Sequence, residues 1–108
     1  MSKKLSIDKI SQIINFQRRY RFLRSEINKI NDEGLKSLLN TLKDHPRIES
    51  LFIANNQFNS ISINYLIDFI IKNKTIKRID ITDNFIEKTE KLNQLKKIAA
   101  TNNIRLIT

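Results

Sequence analysis

Two stretches of this chain can be laid on one another without a gap. Ile48-Glu-Ser-Leu51-Phe-Ile53-Ala-Asn-Asn56-Gln-Phe58 is followed, 28 positions on, by Ile76-Lys-Arg-Ile79-Asp-Ile81-Thr-Asp-Asn84-Phe-Ile86. Each carries large apolar residues at the first, fourth and sixth places, an Asn at the ninth and a large apolar residue at the eleventh. That spacing fits one side of a short strand, a turn held by a side-chain amide, and a residue that points back inward. One further step backward gives Tyr20, Leu23, Ser25, Asn28 and Ile30, and one forward gives Ile104 and Ile107. The intervening segments repeat as well: Leu35, Leu38, Leu39 and Leu42 align with Ile63, Leu66, Ile67 and Ile70. The third such segment keeps Leu95 and Ile98 and adds Leu92, while Lys91 and Gln94 fall at apolar places. A fixed repeat of this length signals stacked supersecondary units in which each covers its neighbour.

At these residues the chain resembles the ribonuclease-inhibitor-like class of leucine-rich repeats. The best single match is Asn28-Lys-Ile30-Asn-Asp-Glu-Gly34-Leu35, continued by Leu38, Leu39 and Leu42, and the resemblance runs from Tyr20 to Thr108. Two departures are local. The glycine after the strand survives only as Gly34, with Ser62 and Glu90 in its place later, and Ser25 occupies an inward strand position. The resemblance implies an α/β fold, a short leucine-rich-repeat solenoid with a parallel sheet on its concave face, helices on its convex face and an N-terminal capping helix. Residues 1–108 then form a single domain: 1–19 the capping helix, 20–47, 48–75 and 76–103 the repeats, and 104–108 a final strand. It also implies protein binding, including inhibition of a partner enzyme by blocking its active site. The small size further resembles short bacterial leucine-rich-repeat effectors or effector regulators, which implies a cytoplasmic protein or one delivered into a host cell.

The residues themselves place the elements. Ile7, Ile10, Ile14 and Phe16 recur at helical spacing, with Ser6 as the expected N-cap, over about Ser6 to Arg18. Strands are expected at about Arg21 to Arg24, Ser50 to Ile53, Arg78 to Ile81 and Ile104 to Thr108. Helices are expected at about Asp32 to Asp44, Ser62 to Lys72 and Lys88 to Ala100. Asp32 and Glu33 suit the positive end of the first helix. His45-Pro46 ends it, because a residue before proline is pushed out of the helical region. Asn28, Asn56 and Asn84 should form a short ladder of amides across the turns.

Chemistry is constrained by what the sequence lacks. It has one Gly, one His and no Cys. No glycine-rich phosphate loop, thiolate zinc site, catalytic triad or multi-histidine metal centre can be built from that inventory. No catalytic residue, metal or cofactor is therefore expected, and the chain reads as a non-enzyme. His45 is expected to be a partly exposed corner residue. Asp32, Glu33 and Asp83 read as helix-terminal and turn carboxylates rather than an acid–base pair. Met1-Ser-Lys-Lys leads into an amphipathic stretch with no apolar core of a signal peptide. The most apolar run, Ile61 to Ile71, is shorter than the roughly 20 residues a membrane helix needs.

A formal net charge of +9 points either to an acidic partner or to a solvated lysine coat. The cations are spread along the chain, with a basic group formed by Lys72, Lys74, Lys77, Lys88, Lys91, Lys96 and Lys97 around the later helices. Electrostatic binding of nucleic acid or an anionic surface is the alternative function. The sheet face is the more specific candidate. Alternation along the strands turns Phe22, Arg24, Ser50, Phe52, Ala54, Arg78, Asp80, Thr82 and Leu106 outward if Leu51, Ile53, Ile79 and Ile81 face the core. Arg24, Phe52 and Asp80 fall in one row, and Phe22, Ser50, Arg78 and Leu106 in the next. Aromatic and Arg side chains are enriched where binding energy concentrates. The expected partner-binding set is accordingly Phe22, Arg24, Phe52, Arg78, Asp80 and Leu106, and the expected partner is another protein.

Overall fold

The computed structural model describes residues 21–24 and 29–108. The expected capping helix, Tyr20, Ser25 and Asn28 lie outside them. The elements run β1 (Phe22–Arg24), α1 (Asp32–Leu42), β2 (Ser50–Phe52), a 3-10 turn (Ser60–Ser62), α2 (Ile63–Lys72), β3 (Arg78–Asp80), α3 (Glu90–Thr101) and β4 (Arg105–Ile107). The four strands are parallel and sit in sequence order, β1-β2-β3-β4. Parallel neighbours need a crossover long enough to bring the chain back to the same edge. Here each crossover is a helix, so the three helices form the second layer.

The core lies between the layers. Leu23, Leu51 and Ile79 point inward from β1, β2 and β3, and the last two are fully buried. They meet Leu35, Leu38, Leu39 and Leu42 of α1, Ile63, Leu66, Phe69 and Ile70 of α2, and Leu92, Leu95 and Ala99 of α3 in one cluster. Ile48, Ile76 and Ile104, just ahead of β2, β3 and β4, close its lower end. The polar third helix is tolerable because Leu92, Leu95 and Ala99 face inward and Ile98 packs against the core beside them.

The turns after β2 and β3 share a device. Asn55 and Asp83 adopt left-handed backbone angles, φ 58 and φ 56, which Asn and Asp accept more readily than most residues. The next residue is an asparagine that turns inward. Asn56 donates Nδ2–H to the carbonyls of Ile53 (2.9 Å) and Ala54 (3.2 Å), and its Oδ1 accepts from the Ile30 amide (3.0 Å). Asn84 donates to Ile81 (3.1 Å), Thr82 (3.2 Å) and, in the preceding unit, Ile53 (3.1 Å).

Asn73 closes the opposite edge. Buried, it donates to the Leu42 carbonyl at the end of α1 (2.9 Å), and its Oδ1 accepts from the amides of Thr75 (2.8 Å) and Ile76 (2.9 Å). The sequence marks it only as a helix breaker. The same contact reaches His45, whose carbonyl accepts from Asn73 Nδ2 at 3.4 Å. His45 is buried, contrary to the exposed corner expected, with Nδ1 accepting from the Arg47 amide at 3.1 Å. Ala54 is likewise buried rather than outward, because the chain has left the strand by that point.

The architecture is a small compact α/β domain, and the expectation of a leucine-rich-repeat solenoid is corrected accordingly. The Cα radius of gyration is 12.8 Å, whereas a globule of this length has about 13 Å. The stack does not elongate. The repeat also fails at its last step. Phe22 pairs with Ser50 and Ser50 with Arg78, but Arg78 pairs with Arg105.

Replacing Asn56 by Ala removes the partner of the Ile30 amide and of the Ala54 carbonyl, while the Ile53 carbonyl keeps Asn84, and should cost about 2 kcal/mol or more. Asn84→Ala should cost less, since the Oδ1 of Asn84 is buried without a partner among the described residues. Urea unfolding midpoints check the order; equal losses at the two positions contradict it.

Candidate functional site

The helices cover one face of the sheet, and the other carries the candidate site. Strand alternation leaves two outward rows. One contains Phe22, Ser50, Arg78 and Arg105, and the other Arg24, Phe52, Asp80 and Ile107. Phe22 is 55% exposed. Arg24, Arg78 and Arg105 are exposed, while Ser50, Phe52, Asp80 and Ile107 are half-buried.

Five of the six expected residues fall where the spacing puts them. Leu106 does not. It pairs with Ile79 in the inward row and packs against the core. The cause is one missing residue. Two residues separate Ile76 from Ile79, and one separates Ile104 from Leu106. In β3 both Lys77 and Arg78 donate to the Glu49 carbonyl, at 2.7 and 3.0 Å, whereas in β4 only Arg105 donates to the Lys77 carbonyl, at 2.8 Å. A slip of one residue exchanges faces along a strand. Arg105 and Ile107 therefore belong to the outward set, and the strict repeat hid them. The shortened interval between Ile104 and the apolar pair Leu106-Ile107 was the available signal.

Phe52 is the centre of the face. Arg24 lies beside it, with Cζ 4.4 Å from the ring centroid. Such a contact sets the guanidinium over the ring and contributes about 0.5–1 kcal/mol when exposed. It also presents the edge of an Arg and the flank of an aromatic together, without either folding into the core. Asp80 is held from the turn beyond it: its Oδ1 accepts from the Thr82 amide (3.0 Å) and hydroxyl (2.8 Å). Arg21 and Glu49, at the lower margin, form an exposed pair at 3.8 Å, of the sort that contributes little to stability.

Asp32, away from this face, serves the fold. Asp32 Oδ1 accepts from the Asn59 amide (2.9 Å) and the Ser62 hydroxyl (2.5 Å), tying the start of α1 to the turn ahead of α2. The α1 N-cap is Asn31, whose Oδ1 accepts from the Gly34 amide at 2.9 Å. Asp83 sits exposed in its turn. Among the described residues no group of three or more His, Asp or Glu is placed to hold a metal ion. Among them, too, no helix is long and apolar enough to cross a membrane.

Comparison with known proteins bears on the fold. The chain is similar to a solved structure of leiomodin-1 actin-binding site 2, with a TM-score of 0.79 and 14% identity, over 98% of this chain and 65% of that one. The present chain thus spans about two thirds of the solved chain it matches. No protein-family model matches it, and no curated protein matches it. At 14% identity the likeness is one of fold: a small α/β domain seen in an actin-binding fragment, with no leucine-rich-repeat family shown for this chain.

Inward and outward residues on β2 should separate cleanly in stability. Leu51→Ala should cost about 2–5 kcal/mol, as for a fully buried leucine, and Phe52→Ala no more than about 1–2 kcal/mol. Thermal unfolding followed by circular dichroism checks the contrast; a Phe52 loss as large as that of Leu51 places the ring in the core.

Proposed function

We propose that this chain is a non-catalytic binding module that docks another protein on the exposed face of its sheet. The observation that carries the reading is Phe52, set at the middle of a four-stranded face with Arg24 stacked on its ring. An aromatic in this position adds less to the core than an inward residue does, yet it offers a rigid apolar anchor beside a guanidinium. Buried aromatic and Arg anchors supply most of the energy of many protein interfaces. The flanking Phe22, Arg78, Asp80, Arg105 and Ile107 give the anchor a mixed rim, the composition that such interfaces use to exclude water. The likeness to an actin-binding fragment supports a protein partner in general terms, and actin is a reasonable first protein to try. Covering the active site of a partner enzyme is the finer form of the same reading.

The test is capture of partners from the native proteome by the intact chain, repeated with Phe52→Ala. A partner held through this face should lose at least about 1–2 kcal/mol of binding free energy in the variant, while the variant unfolds at nearly the same temperature. An unchanged affinity removes the sheet face as the docking site. Salt separates this reading from electrostatic attachment to nucleic acid. Counterion release makes the latter fall steeply between 50 and 200 mM salt, by about 10³–10⁵ when many phosphates are contacted; docking centred on Phe52 should change by less than about tenfold over that range.

A further inference from the structure

Arg78 and Arg105 face each other across β3 and β4, both outward and both exposed. Like charges set opposite one another on neighbouring strands weaken a sheet. Lys77, also exposed, precedes Arg78, and its carbonyl accepts the Arg105 amide at 2.8 Å. Three cations therefore meet where these strands begin.

Among the described residues none of the three forms an ion pair. The ion pairs among the described residues are Arg21 with Glu49 and Lys72 with Asp68. Asp80 lies two residues further along β3, and one of its oxygens is occupied by Thr82. Helix dipoles account for Lys72, in the last turn of α2. They do not account for Lys77, Arg78 or Arg105, which lie beyond the helix ends.

We propose that this corner of the sheet face grips an acidic segment of the protein partner, with carboxylates seated across Arg78 and Arg105 and Lys77 beside them. The inference rests on the docking reading above and specifies the partner's chemistry. Guanidinium groups bind carboxylates through paired, charge-assisted hydrogen bonds, and a carboxylate between the two arginines removes their mutual repulsion. A peptide is favoured over a phosphate backbone by what flanks the cluster. Glu49 on one side and Asp80 further along the face repel a continuous line of phosphates, whereas a segment with one or two carboxylates can be seated between them.

The experiment measures fluorescence anisotropy of a labelled peptide carrying two glutamates among serines and glycines, and of a single-stranded DNA oligonucleotide, at 150 mM salt, against the intact chain. Three proteins are compared: the natural sequence, Arg105→Glu, and the double variant Lys96→Ala with Lys97→Ala, which removes exposed charge from α3. Arg105→Glu should weaken peptide binding by tenfold or more without lowering the unfolding temperature, because it replaces a repulsive cross-strand pair by an attractive one. The α3 variant should stay within twofold of the natural sequence. Equal losses in the two variants, or tighter binding of the oligonucleotide than of the peptide, overturn the proposal. The captured partner separates this inference from the reading beneath it. If Phe52→Ala releases the partner and Arg105→Glu does not, the acidic-segment inference fails and the docking face stands; if neither releases it, both fail.

Discussion

The fold depends on a few asparagine side chains that satisfy backbone groups the strands leave behind. A parallel sheet with short strands breaks its hydrogen-bond ladder every few residues, and each break leaves amides and carbonyls beside an apolar core. A buried backbone group without a partner costs about as much as several well-packed methyl groups stabilise. Asn56 and Asn84 fill this need where the strands end, and Asn73 fills it where α1 ends and β3 is about to begin. Each carries two donors and an acceptor on a short stem, so one residue can serve successive turns at once. The Ile53 carbonyl, which accepts from both Asn56 and Asn84, shows how the units are joined through polar atoms as well as through the core.

The same geometry sorts the charges. Strands and helices run in opposite directions, so every helix begins at the edge where strands end. Asp32 and Glu33 stand in the first turn of α1 and Glu90 in that of α3, at the positive ends of those helices. Lys72 stands at the negative end of α2. Part of the basic character of the chain is therefore a response to its helices, and part of the acidic character too. Lys77, Arg78 and Arg105 have no such helix end beside them, and they lie together at the edge where β3 and β4 begin. The net charge alone left an acidic partner and a solvated lysine coat both open, and the strand register adds that Arg78 and Arg105 stand opposite one another.

Most of the inward pattern was legible because it is periodic. Leu51, Ile53, Ile79 and Ile81 repeat at the same interval in two units, and every one is buried. Helix limits follow within a residue or two, since Asp32, Glu33 and the His45-Pro46 step are local signals that need no partner elsewhere. Three features were less accessible. His45 is buried at a corner whose carbonyl accepts from Asn73, a residue 28 positions later. Inter-unit bonds such as that of Asp32 with Ser62 involve residues whose own neighbourhoods read only as a helix start and a turn. The overall class was over-read, because spacing reports how neighbouring units register and says little about the shape that so few of them make.

The last strand shows why a repeat predicts less at its ends. In β2 and β3 an inward residue is held on both sides, so an inserted or deleted residue would expose one side chain and bury another in each neighbouring unit. β4 has β3 as its one strand neighbour among the described residues, and that constraint is halved. Loss of one residue between Ile104 and Leu106 is absorbed there: Leu106 enters the inward row, and Ile107 rotates outward as a half-buried cover. The core loses little by the exchange, since one branched aliphatic replaces another. The exposed face changes more, because an arginine arrives where a leucine was expected. Where the interior tolerates such a slip at small cost, the chemistry of the outward row is decided by a single omitted residue, and it is there that this face acquires the arginine opposite Arg78.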